Sequence, residues 1–325
     1  EKARPYLDRA KAAPGANARE QEVIRAVGHW IDGDVPALVA TCDAITDQWP
    51  RDLAMLKLAQ YHLFNTGDAA GMLRMALKSL PEAEDIAYTH GMIAFGYEQC
   101  HLLDRAEAAA RRAMELRHDE PWAHHALAHV MLTQGRVAEG ARFMESVAET
   151  WSDLNSFMRS HNWWHLALFY LSQGRHDDVR AAYDQHIWGL EKDYSQDQVG
   201  AVSLLARMEF AGVDVGDRWG DVADHVAARG ADTVSPFLTL QYLYALCRTG
   251  RPEAAEMLSA IDARASETAA HDHAAWAEVA LPAARGIAAH AKGEWTTAIR
   301  ELGMALPRIC LLYTSDAADE LLCVD

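Results

Sequence analysis

Apolar residues along most of this chain fall three and four positions apart, in runs of about a dozen residues that end at a turn residue and start again. That spacing gathers the apolar side chains onto one face of a helix. No run of alternating β-branched residues is bounded by turn signals, so strands are not expected. The pattern predicts helices throughout, joined two by two across short turns.

Glycine marks those turns. Gly33, Gly67, Gly135, Gly174, Gly212, Gly250 and Gly293 each follow one apolar run and precede another, at intervals of 34, 68, 39, 38, 38 and 43 residues. The interval of 68 is two periods of 34, with His101 in the middle slot. A helix–turn–helix unit of that length is the tetratricopeptide period. Counting the turn as position 15, units begin near Arg19, Leu53, Ala87, Pro121, Ser160, Gln198, Pro236 and Val279. Small residues are expected where paired helices approach, as at Ala94 with Ala106, Ala128 with Gly140, and Gly286 with Ala298. Unit six departs from the pattern, and its second helix is expected between Arg218 and Ala228. Second helices are expected to close at or just before Pro50 and Pro81. One pair cannot bury its own apolar faces, so the pairs should stack. The predicted fold is all-α, a right-handed α-solenoid of about eight tetratricopeptide-like pairs over residues 1–309. An irregular helical bundle is the alternative. Ser266–His273 reads as an extended loop.

Charge and cysteines narrow the function classes. Half of the 325 residues are hydrophobic, enough for a substantial interior, and 47 acidic residues outnumber 30 Lys and Arg for a formal charge of −17. Such a surface repels phosphate backbones, which argues against nucleic acid as a partner. Charged residues interrupt every apolar stretch well before the roughly 18 residues that span a bilayer. The chain opens on Glu1-Lys2-Ala3-Arg4 with neither Met nor an apolar signal core. No membrane partner, a cytoplasmic location and an incomplete N-terminus are expected. Residues 310–325 fit nothing upstream and read as the translation of a transposon-type sequencing adapter, so natural sequence is expected to end near Ile309. Without the four acidic residues of that tail the charge becomes −13. Cys42, Cys100 and Cys247 then remain, too scattered for a disulfide framework or a cysteine zinc site.

In stacked pairs of this kind the first helices line the concave side, through positions 2, 5, 9 and 12 of each unit. These are Tyr88, Gly91, Phe95 and Glu98 in unit three, then Trp122, His125, His129 and Leu132 in unit four. Unit five contributes His161, Trp164, Leu168 and Leu171. The predicted groove is aromatic and rich in histidine, with one carboxylate at its centre. His125 with His129, and His161 with His165, stand four residues apart, a spacing that lets two imidazoles share a metal ion. Neither pair encloses the glutamate of a metalloprotease helix. If both pairs and Glu98 converged, they could hold a divalent transition metal or supply an acid–base pair. Histidines between packed helices also serve simply by donating to a carbonyl, and Trp163 and Trp164 on one helix read as core. Lys57 is the only basic residue at a groove position in units two to five. A clamp for terminal carboxylates is therefore disfavoured. Glu107, Arg111 and Arg112 are expected on a solvated outer face.

The stretches Gly91–Glu98, Trp122–Val130 and His161–Phe169, followed by Tyr183–Ile187, Val215–Trp219 and Ala280–Pro282, resemble the tetratricopeptide repeat protein 38 family. They run in order from about Arg19 to Ile309, as in a truncated bacterial-type member. The resemblance implies an α-helical repeat of largely undetermined biochemical role, whose recurring His-x-x-x-His segments fall on His125/His129 and His161/His165. Thr239 and Gln241 stand where the family tends to carry Asp and His. The family also continues into a Gly-Gly-Ser-His-Ala-Gln-Arg-Asp-like segment that is absent here.

Two functions follow. The first is a binding or scaffold module holding a protein, a peptide or a small molecule against Tyr88, Phe95, Glu98, Trp122, His125, His129, His161, Trp164 and His165. The second is an enzyme or metal-dependent protein using the paired histidines. The repeat architecture favours the first.

Overall fold

The computed structural model describes residues 3–267 and 272–312, so half of the candidate loop Ser266–His273 and most of the anomalous tail lie outside the described residues. Two compact units make up the chain, Glu1–Gly135 and Arg136–Asp325. The first contains α1 (Arg4–Ala12), α2 (Ala18–Asp32), α3 (Val35–Gln48), α4 (Leu53–Asn65), α5 (Ala69–Ala83), α6 (Ala87–Gln99), α7 (Leu103–Leu116) and α8 (Pro121–Thr133). Here α2 packs on α3, α4 on α5, and α6 on α7. The second contains α9 (Val137–Val147), α10 (Ser156–Ser172), α11 (His176–Ala182), α12 (Ser195–Phe210), α13 (Arg218–Ala227), α14 (Pro236–Arg248), α15 (Glu253–Ala265), α16 (Leu281–Ala291) and α17 (Trp295–Ala305). Its pairs are α10 with α11, α12 with α13, α14 with α15, and α16 with α17. A 3-10 turn follows α9 at Ala148–Trp151, and π-helical turns occupy Tyr183–Ile187 and Ala275–Ala280. No strand occurs among the described residues.

The turns explain the glycine period. All seven marker glycines adopt left-handed backbone angles, with φ between 66° and 75°. In each case the reversal lets orphan carbonyls at the end of the first helix find donors. Gly33 donates to the Trp30 carbonyl and Asp34 to that of His29; the same two bonds recur at Gly67–Asp68 and Gly174–Arg175. The aspartates after Gly33 and Gly67 then cap the next helix, Asp34 accepting from the Ala37 amide and Asp68 from the Gly71 amide. His101 holds the slot without glycine, at φ 57°, and makes the same reversal: it donates to Glu98 and Leu102 to Tyr97.

Close approach within and between pairs needs small residues. A Cβ on Gly96 would lie 2.9 Å from the Leu73 Cα, so α6 and α5 nearly touch backbone to backbone. One on Gly140 would sit inside the Phe169 ring, at 2.2 Å. Around α2–α6 the first unit buries Leu38, Ile45, Leu56, Met72, Met75 and Met92. Cys42 lies in this core, where burial pushes its thiol up to about 11 and keeps it an unreactive apolar group.

Proline does not end the second helix of every pair. Pro81 lies inside α5, which runs on to Ala83. In the last turn its missing N–H removes one hydrogen bond, and the fully buried Ser79 and Ala83 on either side anchor the backbone.

Replacing His101 with glycine should stabilise the protein by about 1 kcal/mol, because a side chain with Cβ is strained at this φ. Thermal or denaturant unfolding measures it; no gain would mean the imidazole offsets the strain.

Candidate functional site

Pro at the first position and a side-chain cap from Glu120 start α8, and they fix the direction in which Trp122, His125 and His129 leave it. Against them stands α6, with Tyr88, Phe95 and Glu98. Phe95 is the hub: its ring centre lies 5.4 Å from that of Phe64, 5.9 Å from Trp122 and 5.3 Å from His125. The Lys57 ammonium sits 3.1 Å above the centre of the Trp122 ring, a cation–π contact from α4. Tyr88 is half-buried beside them, and burial together with the Glu120 charge holds its phenol well above the ordinary range.

The two histidines of α8 face each other, Nε2 to Nε2, at 3.0 Å. The other nitrogen of His129 points the opposite way: Nδ1 lies 3.5 Å from Glu98 Oε1. Gln99 donates to the second carboxylate oxygen at 2.6 Å. Glu98 thus stands behind the imidazole, on the side away from His125. A carboxylate in that position favours a proton on Nδ1 and turns the Nε2 lone pair toward His125. His125, His129 and Glu98 are all buried, at 1%, 3% and 8% exposure.

The second unit carries the second pair. His161 and His165 of α10 approach Nε2 to Nε2 at 3.1 Å. His161 is half-buried and lies parallel to two neighbours on its own helix, Phe157 with centroids 5.2 Å apart and Trp164 at 5.8 Å. His165 and Trp164 are buried. The imidazoles of both pairs are the candidate ion ligands among the described residues. Two nitrogens bound to one ion at about 2.0–2.1 Å are separated by about 2.9 Å at a right angle and about 3.4 Å at a tetrahedral one. Both pairs fall inside that range. The same spacing also suits an N–H···N hydrogen bond between neutral rings.

Sequence reasoning missed Glu120. Its Oε2 accepts from the Ala123 amide at 2.6 Å, while Oε1 has no hydrogen-bond partner. Burial pushes this carboxyl up to about 7, against the pull of the helix amides and Lys57. The signal was present as Glu120-Pro121, an acidic cap before a proline start, though nothing in the sequence reveals its depth. Trp163, expected in the core with Trp164, is instead half-buried with its ring against His186. Thr239 closes the start of α14, donating to the carbonyls of Asp232 and Ser235.

No family model matches the chain. The solved APC/C hetero-tetramer Cut9–Hcn1 is similar at a TM-score of 0.50 and 12% identity, over 98% of this chain and 59% of that one. The fold is an all-α helical repeat. A tetratricopeptide repeat protein from Parabacteroides merdae is similar at 0.44 and 9% identity, over 86% of this chain and 98% of its own. YrrB, a tetratricopeptide protein described as having an unusual peptide-binding site, scores 0.35 at 15% identity over 67% of this chain and 97% of its own. The chain thus spans about 59% of the Cut9–Hcn1 chain. No helix among the described residues is long and apolar enough to cross a membrane.

Two buried groups of α8 titrate with opposite effect. Glu120 binds its proton more tightly folded than unfolded, so its contribution to stability is full below about pH 4.5 and is lost as pH rises toward 7. Burial lowers His124 to about 4, so its contribution is present above the ordinary histidine value and is lost as pH falls through 6.5 toward 4. Glu120→Gln keeps the cap and removes the first titration. The stability of the variant relative to the parent should therefore rise between pH 4.5 and 7, by on the order of 2–3 kcal/mol. Unfolding midpoints across that range measure it, and a constant difference would sink the assignment.

Proposed function

We propose that this chain is a ligand-holding helical repeat, akin to the tetratricopeptide repeat protein 38 family, whose first helices carry the contact residues. The observation that carries this is the Phe95 cluster. Phe64, Lys57, Trp122 and His125 converge on it from the first helices on either side, α4 and α8, and a core does not require that concentration of rings with polar edges. A protein, a peptide or a small molecule with apolar and aromatic groups suits it. The acidic surface disfavours nucleic acid. Native mass spectrometry of protein purified under mild conditions should detect a bound species that Trp122→Ala loses while remaining helical. Identical spectra for parent and variant would sink this assignment.

A second function, metal-dependent binding or catalysis, is favoured by one specific observation. Each imidazole pair already has the separation of two ligands on one ion, and Glu98 stands where it would orient His129 Nε2 toward His125. His125 and His129 would hold the ion in the first unit, and His161 and His165 in the second. Cobalt(II) serves as the probe, since its visible absorption reports nitrogen ligation. His129→Ala and His161→Ala should each weaken binding at least tenfold, and Glu98→Gln about tenfold. No saturable visible absorption at micromolar cobalt would remove the metal.

A further inference from the structure

The second unit holds a cleft of about 440 Å³ whose lining includes Glu149, Arg159, Trp163, Tyr170 and His186. It lies on another face of α10 from the imidazole pair. At about 100° per residue, Trp163 points roughly 160–200° away from His161 and His165.

Stacked and edge-on rings form its walls. His186 belongs to the π-helical turn Tyr183–Ile187 and lies flat on Trp163, with ring centres 3.7 Å apart and planes at 7°. Trp163 in turn packs edge-on against the buried Trp151. Single π-helical turns are less stable than regular helix and recur at functional positions. His186 Nδ1 is enclosed and has no hydrogen-bond partner. Burial, reinforced by the Arg159 charge, lowers the imidazole below its ordinary value, so it faces the cleft as a neutral ring.

Charge completes the picture. Glu145 is neutralised by Arg175 at 2.8 Å, and the same guanidinium lies over Tyr170. Arg159 and Glu149 are different. The Arg159 guanidinium donates only to the Ser152 carbonyl, at 3.4 Å, and no ion pair engages either residue among the described residues. One unpaired cation and one unpaired anion therefore share a cleft floored by aromatic rings.

We propose that this cleft binds a small aromatic zwitterion of the free aromatic amino acid class. Its carboxylate pairs with the Arg159 fork and its ammonium with Glu149. The ring packs on Trp163, Leu166 and Tyr170, and His186 Nδ1 meets a polar edge of the ligand. Neither the imidazole pairs nor the Phe95 cluster takes part.

The probe is L-phenylalanine, which leaves tryptophan fluorescence observable, titrated at pH 7.5 with EDTA present to exclude metal-mediated binding. Benzoate and phenethylammonium supply the acid and the amine alone. Phenylalanine should bind saturably, at least tenfold tighter than either. Arg159→Gln should bring its affinity down to that of the amine, and Glu149→Gln to that of the acid. Both positions are at least partly exposed, so the variants should keep the parent's circular dichroism and unfolding midpoint. Trp163→Phe should retain binding and lose most of the fluorescence response. Absence of saturable phenylalanine binding, benzoate binding as tightly as phenylalanine, or unchanged affinity in folded Arg159→Gln would each overturn the proposal.

Discussion

Each helix pair in this protein reverses through the left-handed backbone region. Two helices joined by so few residues can lie side by side only if the chain reverses at once, and the last carbonyls of the first helix must find donors during that reversal. A left-handed residue achieves both, and the paired bonds at Gly33–Asp34 and Gly67–Asp68 are the result. Stacking of successive pairs sets a second demand. Where neighbouring pairs cross closely, a side chain at the crossing must be small. Gly96 beneath Leu73 and Gly140 beneath Phe169 are where the stack would otherwise jam.

That constraint is also why the fold is legible in the sequence. Glycine is the residue least strained at positive φ, so the spacing of turns appears directly as the spacing of Gly33, Gly67, Gly135, Gly174, Gly212, Gly250 and Gly293. Even the gap at His101 is informative, because the neighbouring turns dictate a reversal there whatever residue occupies it. Pro81 misleads for the opposite reason. A proline signals what its own backbone cannot do, and the buried Ala83 beyond it holds the last turn of α5 in place.

The candidate site is legible only in part. Helical periodicity puts His125 with His129 and His161 with His165 on common faces, and the closeness of the two rings in each pair follows from that spacing. It does not reveal which way a ring turns, and so the position of Glu98 behind His129 was hidden. Nor does periodicity report depth. Glu120 reads as an ordinary helix cap and is in fact sealed in, where desolvation overrides the pull of the helix amides on its proton.

The π-helical turn at Tyr183–Ile187 has a broader consequence. Repeats of one kind present equivalent positions to equivalent surroundings, so a chain made only of identical copies has difficulty acquiring a chemically distinct spot. One additional residue per turn rotates everything beyond it by roughly a quarter of a circle. His186 therefore owes its direction to a local break in symmetry, and it is an individual feature within a modular scaffold. A repeat protein can diversify in this way while its neighbouring copies go on stacking as before.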